Sequence, residues 1–424
     1  MKDTTTITLA SSNALTKINV EDLQVGMYVS QLDKPWLESN FIYQGFELKN
    51  QADINAVKQQ CRFVYIDRKK ENKSLSFQAS TPEFGKESTI ASARPPRPLS
   101  TFSKEIDRAG YVYKETSSLV KSFMDDMFLG RTISVKMAKK AVSDCVNSVL
   151  NAPDALLWMT QLKNRDLYTS QHSMNVCILA ITLGRQINLS IDQLNVLGLC
   201  GMMHDMGKMR VPLEILNKPG SLGAEELKIM QSHAEMGWRL LQSSKEMSSE
   251  AIEVAHSHHE RLDGTGYPRK LKGSEISLYT RIVAIVDMYD AITSDRAYQK
   301  GRTHIDAISI MTKLCGNHLD ADLTYKFIEC LGIYPPGSII EMSNGEIAIV
   351  VEANQEKKLK PKIIILLDEL KRPRPERLVD LSKIDVDSTG QPYQILKTVR
   401  ADAFGIDLNK YYHNGVIAKG LASM

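Results

Sequence analysis

MMHDMGK at residues 202–208 and HSHHERLDGTGYP at residues 256–268 decide how this chain is read. Around them stand His172 in YTSQHS, His233 in MQSHAEMG and Asp287 in IVAIVDMYDAI, so that six of the nine histidines fall between His172 and His259. The order along the chain is a lone His172, the pair His204-Asp205, a lone His233, the pair His258-His259 and a lone Asp287. A single histidine on an apolar helix face is more often a packed imidazole than a ligand; an ordered set that includes two aspartates is a metal address. Neutral imidazoles mixed with carboxylates suit borderline divalent first-row metals, and seven ligands exceed what one ion takes. Such a set with a shared aspartate can hold two ions a few ångströms apart, an arrangement that typically hydrolyses phosphate esters.

The motifs sit in a helical pattern. Val176, Leu179 and Leu183 follow His172 at helical spacing, which puts the imidazole on the core-facing side. QLNVLGLCGMMHDMGK reads as a helix that runs to a stop at Gly207, with the neighbours His204 and Asp205 diverging by about 100° so that each reaches a different ion. His233 is expected in mid-helix beside Met230 and Gly237, and His258-His259 at the end of another helix before an Asp263-Gly264 turn. Gly266 and Pro268 hold the loop that presents Tyr267, a rigid aromatic suited to base contact or to docking a partner. Asp287 lies in an otherwise apolar helix, which is costly unless a cation compensates its charge. Asp290 and Glu260 read as carboxylates that orient a ligating histidine or the loop. His256 is expected to face away from the His258-His259 pair, and His304, His318 and His413 read as structural.

Composition bounds the function classes. At 424 residues, 43% hydrophobic and 24% charged, the chain is long enough for two or three soluble domains. A formal charge of +3 is too weak for a dedicated DNA binder. No apolar stretch has the length for membrane insertion and the N-terminus lacks a signal-peptide core, so a cytoplasmic location is expected. The six cysteines are scattered without a CxxC pair, so they read as reduced and the metal site must use nitrogen and oxygen ligands.

Boundaries follow from composition and period. Residues 1–16 read as a flexible start and 17–67 as a small α+β domain, with strand-like INVEDLQVGMYVSQL, a helix over QADINAVKQQ and the strand RFVYID. Residues 68–100, rich in Lys, Ser, Glu and Pro, read as a disordered linker. Val135, Ala138, Val142, Cys145, Val146 and Val149 mark a helical connector over 101–150, a packing face that also suits signal transmission or a homodimer interface. A helical catalytic domain is expected over 151–333. Two alternating runs with an Asn-Gly turn inside the first then suggest a hairpin in a β-rich extension over 334–424. Its cluster Lys357, Lys358, Lys360 and Lys362 is read as solvated.

HDMGK and, about fifty residues on, HHERLDGTGYP resemble the motifs of the HD-GYP family, bacterial phosphodiesterases within the HD phosphohydrolase superfamily. The likeness spans about residues 150–335. DLQVGMYVSQLDKPW with FIYQGF, residues 22–46, is similar to an uncharacterised N-terminal domain that accompanies many such modules. The resemblance implies a mainly α protein whose centre is an all-helical HD-type metal-dependent phosphohydrolase domain. It further implies that His172, His204, Asp205 and Asp287 hold one divalent ion and Asp205, His233, His258 and His259 a second, with Fe or Mn as the metals. Some family members add a glutamate four residues before the first histidine and a third metal; Tyr168 occupies that place here, so two metals are expected. Asp205 and Lys208 would serve catalysis, and Lys208, Tyr267 and Arg296 would contact substrate, Arg296 by presenting its planar fork to guanine. The implied substrate is cyclic di-GMP, opened to pGpG or onward to GMP. A rival reading is a catalytically weak cyclic dinucleotide sensor, or a module that docks cyclase-domain proteins through the GYP loop; a third is a phosphohydrolase for a mixed cyclic dinucleotide.

Overall fold

Period-2 and period-3.6 apolar patterns alternate along the chain, and in a computed structural model they sort it into two compact units, residues 1–89 and 90–424. The structure describes residues 15–33, 46–48, 51–67, 97–162, 168–295, 300–354, 356–415 and 417. In the first unit β1 (Thr16–Asn19), β2 (Tyr28–Leu32), β3 (Phe46–Glu47) and β4 (Phe63–Ile66) form an antiparallel sheet in the order β1-β4-β2-β3. Helix α1 (Gln51–Lys58) contributes Ile54 and Val57 to a small core shared with Val29, Leu48, Val64 and Ile66.

The second unit is built mainly of helices: α2 (Phe102–Phe128), α3 (Val135–Asn151), α4 (Pro153–Met159), α5 (Tyr168–Gln186), α6 (Ile191–Met203), α7 (Ala224–Gln231), α8 (His233–Ser243), α9 (Ser249–Ser257), α10 (Leu278–Thr293), α11 (His304–Leu314) and α12 (Ala321–Leu331). The stretch 101–150 lies in the same core as the catalytic helices, with Ile106, Val120, Val142 and Cys145 packed among Met174, Ile178 and Leu197. Helices α5 and α6 are apolar on nearly every face because they are central, not surface, helices. They approach closely because α6 carries Gly201: a β-carbon there would lie 2.9 Å from the Cys177 Cα of α5. Ser190 starts α6 by accepting a bond from the Gln193 N–H, while the Gln193 side chain accepts from the Ser190 N–H, a reciprocal cap.

Strands β5 (Ile339–Met342), β6 (Ile347–Glu352), β7 (Lys362–Leu367), β8 (Pro373–Asp380) and β9 (Ile395–Val399) make an antiparallel sheet in the order β8-β7-β6-β5-β9. The expected hairpin is β5–β6, turning at Gly345 with φ +92°, a backbone state that favours glycine. The alternation expected of these runs is not what forms. IAIVV and IIILL are buried on both faces: Ile347, Ile349, Val351, Ile364 and Leu366 face the helical core, while Ala348, Val350, Ile363 and Ile365 lie under Leu381 and Tyr393. A two-sided sheet needs no polar face, so its strands read as continuous apolar runs. The Asp154 carboxylate of α4 accepts the Ala353 N–H at 3.1 Å, tying the end of β6 to the helices. A final helix, α13 (Leu408–His413), sets the Tyr412 hydroxyl against Gly110 of α2. In the lysine cluster, Lys357 donates to the Ser382 carbonyl, Lys360 pairs with Asp385 and Lys362 with Glu352.

All six cysteines are free. Among the described residues no helix is long and apolar enough to cross a membrane. Replacing the cap of α6 tests how far its start contributes to the core: Ser190→Ala should cost about 1 kcal/mol, read as a lower denaturant midpoint in equilibrium unfolding.

Candidate metal centre

Each candidate ligand is delivered by a helix face, a helix end or the turn that follows one. His172 projects from α5; His204 caps the C-terminus of α6, which ends at Met203; and Asp205 leads into a 3-10 turn, Met206–Arg210. Gly207 therefore does not stop a helix as its sequence context suggests. It lies in that turn, where a β-carbon would fall 1.9 Å from the His233 carbonyl oxygen and 2.4 Å from the Gly237 nitrogen. Glycine is required there so that the turn can rest on α8 and bring Asp205 to His233. Nor is His233 in mid-helix: the chain breaks at Ser232 and His233 is the first residue of α8. His258 is the C-cap of α9 and Asp287 lies on α10.

All seven side chains converge. Ligand atoms of His172, His204 and Asp287 lie within 4.8 Å of one another, and so do those of Asp205, His233, His258 and His259. The Asp205 carboxylate stands between the two sets and turns one oxygen to each. Its Oδ2 is 3.5 Å from His172 Nε2 and 3.4 Å from His204 Nε2, and its Oδ1 is 3.4 Å from His233 Nε2 and 3.6 Å from His258 Nε2. Asp287 Oδ1 lies 3.0 Å from His172 Nε2 and 3.8 Å from His204 Nε2.

Tautomers follow from what the other ring nitrogen touches. Nδ1 of His204 meets the Gly201 carbonyl at 2.8 Å, that of His233 the Met230 carbonyl at 2.6 Å, and that of His258 the Val254 and Ala255 carbonyls at 3.1 Å. A carbonyl only accepts, so each Nδ1 donates, and the neutral form of such a ring turns a bare Nε2 lone pair inward. His172 Nδ1 meets the Asp290 carboxylate at 2.7 Å, and Asn175 holds the other Asp290 oxygen at 2.9 Å. Lone pairs of His233 and His258 then face one another, their Nε2 atoms 3.3 Å apart, and His259 Nε2 lies 3.1 Å from the same His233 nitrogen. His204 Nε2 and Asp205 Oδ1 are buried with no hydrogen-bond partner among the described residues. Converging lone pairs and an uncompensated buried carboxylate oxygen fit divalent cations and little else.

The electrostatics agree. Burial, with Lys208 adding to it against Asp205, pushes His233 down to about 3, and burial holds His259 well below the usual imidazole range. Both are neutral at physiological pH. Burial favours a neutral Asp205, but the Lys208 ammonium and His172 prevail and hold its carboxyl far below the usual range. Burial opposes a charged His172 too, yet Asp205, Asp287 and Asp290 raise it well above the usual value. Lys208 donates to Asp205 Oδ2. Positive charge is thus drawn to Asp205 Oδ2 from two residues, His172 and Lys208.

Tyr267 stacks on His259 with ring centroids 4.7 Å apart. Gly266 lets that loop fold back, since a β-carbon would meet the 259–261 backbone at 2.5–2.6 Å. Glu260 accepts the Arg269 and Leu271 N–H groups at 2.6 and 3.0 Å, so it orients the loop, not an imidazole. His256 faces elsewhere, pairing with Glu235 at 2.9 Å and stacking on Trp238. His304 bonds the Tyr289 hydroxyl and the Gly332 carbonyl. Arg296 lies outside the described residues.

Three family models match the chain: HD domain over residues 154–323, a domain of unknown function over 15–138, and a KOW domain associated with HD domain over 339–385. A cyclic di-GMP phosphodiesterase of Pseudomonas aeruginosa is 36% identical over 377 residues, 87% of this chain and 89% of that protein. The chain belongs to the HD-GYP family of phosphodiesterases. The chain is also 38% identical to the 3'3'-cGAMP-specific phosphodiesterase 1 of Vibrio cholerae, over 157 residues that make up 37% of this chain and 36% of that one. Among solved structures, an HDG"Y"P protein from Bdellovibrio bacteriovorus aligns with a TM-score of 0.46 and 16% identity, over 74% of this chain and 98% of that chain.

Sequence reasoning missed two groups. Asn175, which also accepts from the Tyr113 hydroxyl at 3.1 Å, supports Asp290; its one signal was its place three residues after His172 on the same helix. Lys121, Met124 and Asp125 of α2 line the cavity over the ligands, and no local pattern marks a helix so far upstream. Because Asp290 fixes the His172 ring, Asp290→Asn should weaken metal binding by about 10- to 100-fold, measured by chelator competition with elemental analysis. Gly207→Ala should destabilise the fold by about 1–3 kcal/mol or more and lower metal content, checked by thermal melting of the purified variant.

Proposed function

We propose that this HD-GYP protein is a cyclic di-GMP phosphodiesterase that works with two divalent ions, Fe or Mn, and releases pGpG or GMP. His172, His204, Asp205 and Asp287 would hold one ion, and Asp205, His233, His258 and His259 the other. The observation that carries the reading is the Asp205 carboxylate, with one oxygen 3.4 Å from His204 Nε2 and the other 3.4 Å from His233 Nε2. The relatives' names support the substrate: those of Pseudomonas aeruginosa and Thermotoga maritima are both named cyclic di-GMP phosphodiesterases. When bound, such a metal pair supplies Lewis-acid activation of water and neutralises charge on the phosphoryl oxygens.

The chain's own residues do the rest. Asp290, Gly201, Met230, Val254 and Ala255 hold the ligating rings with Nε2 inward, so little reorganisation accompanies binding. Lys208 stands one short turn from Asp205; with that carboxylate committed to metal, its ammonium serves a phosphoryl oxygen as a point charge. Tyr267, whose phenol burial keeps neutral, lines the cavity beside His259 and offers a ring face and a hydroxyl to the substrate. That inward placement favours substrate contact over docking of a cyclase domain as the use of this side chain.

Anaerobic purification should yield about two metals per chain by elemental analysis. Chromatography should then show cyclic di-GMP converted to pGpG or GMP. Asp205→Ala should lose metal and reduce turnover by at least about 10³-fold. A wild-type sample that carries the metal pair and leaves cyclic di-GMP intact would refute the proposal.

A further inference from the structure

We infer that α2 supplies a second nucleotide subsite, in which Lys121 holds the phosphate that is not cleaved and Asp125 reads the guanine attached to it. This rests on the cyclic dinucleotide reading above. A cyclic dinucleotide carries two phosphates on opposite sides of one ring, so when one lies over the ligands the other must find its counter-charge elsewhere. The cavity over the ligands has a volume of about 1300 Å³, beyond the roughly 300–1,000 Å³ of an ordinary small-molecule site. It has room for both halves of such a molecule. Lys208 serves the metal end, and Lys121 and Asp125 line the α2 wall.

Two features single out this pair. Lys121 and Asp125 stand four residues apart on one helix, the spacing at which opposite charges usually meet. Neither forms an ion pair with the other or with any other described residue. Met124, buried between them on the same wall, adds an apolar surface for a base. Both side chains are exposed, and an ammonium and a carboxylate that do not pair suit a ligand that offers an anion to one and donors to the other. Guanine offers the N1–H and N2–H₂ donors to a carboxylate; adenine offers one amino donor beside a ring acceptor, which a carboxylate repels. Helix α2 packs against the 3-10 turn that carries Lys208, so the two ends of the cavity are held in register by one contact. The helix lies outside the HD match at 154–323 and within the 15–138 match, so residues upstream of the HD module would take part in choosing its substrate.

The test uses the metal-loaded full chain with three substrates: cyclic di-GMP, cyclic di-AMP, and bis(p-nitrophenyl) phosphate, a small diester with one phosphate. Lys121→Gln should raise KM for cyclic di-GMP about tenfold and lower its kcat/KM relative to that of the small diester by a similar factor. Asp125→Asn should reduce the preference for cyclic di-GMP over cyclic di-AMP by about tenfold. Either variant failing its own readout, or losing activity equally on all three substrates, overturns the subsite. Wild-type enzyme that cleaves the small diester but no cyclic dinucleotide overturns the substrate reading instead, and the subsite with it.

Discussion

The Asp205 carboxylate, enclosed by imidazoles that turn their lone pairs toward it, is the constraint on which the catalytic unit depends. Carbonyl oxygens of Gly201, Met230, Val254 and Ala255 occupy the outer nitrogens, so the rings cannot relieve the repulsion by changing tautomer. In the bare protein a charged His172 and the Lys208 ammonium take up part of the load. That arrangement leaves the carboxylate half compensated, since a proton and an ammonium reach only its Oδ2. Binding free energy is thereby stored in the folded scaffold, and the helices are organised to hold groups that would otherwise separate.

Two glycines make this possible at the level of backbone. Gly201 lets α6 approach α5, which sets His204 beside His172 with ring centroids 5.3 Å apart. Gly207 lets the following turn touch α8, which sets Asp205 against His233. The motif HDMGK is thus bracketed by two close approaches, one for each group of converging side chains. A larger residue at either position would separate elements, not merely crowd a side chain.

Much of the site was legible because its ligands carry their own punctuation: His-Asp and His-His pairs at helix ends, and a carboxylate in an apolar helix. What failed to show was geometry set by contacts distant in sequence. The break at Ser232 that makes His233 an N-terminal residue has no strong local breaker, and Gly207 reads as a stop because its true neighbour is 26 residues away. Asn175 and Tyr113 support Asp290 through bonds spanning 115 and 62 residues. In the extension the hairpin was legible from Asn344-Gly345, whereas the burial of both sheet faces was not, because the cover comes from Leu381 and Tyr393 beyond the strands.

That doubly covered sheet changes what counts as the catalytic module. Ile347, Ile349, Val351 and Ile364 extend the same apolar interior as Leu323 and Phe327 of α12 and Trp158 of α4, and Asp154 is stitched to the end of β6. A fragment trimmed to the HD motifs would carry a raw hydrophobic wound along α12 and α4. The C-terminal strands are therefore better regarded as the floor of the enzyme than as an appendage, and gene fusions or excisions that respect only motif boundaries would inherit an unsealed core.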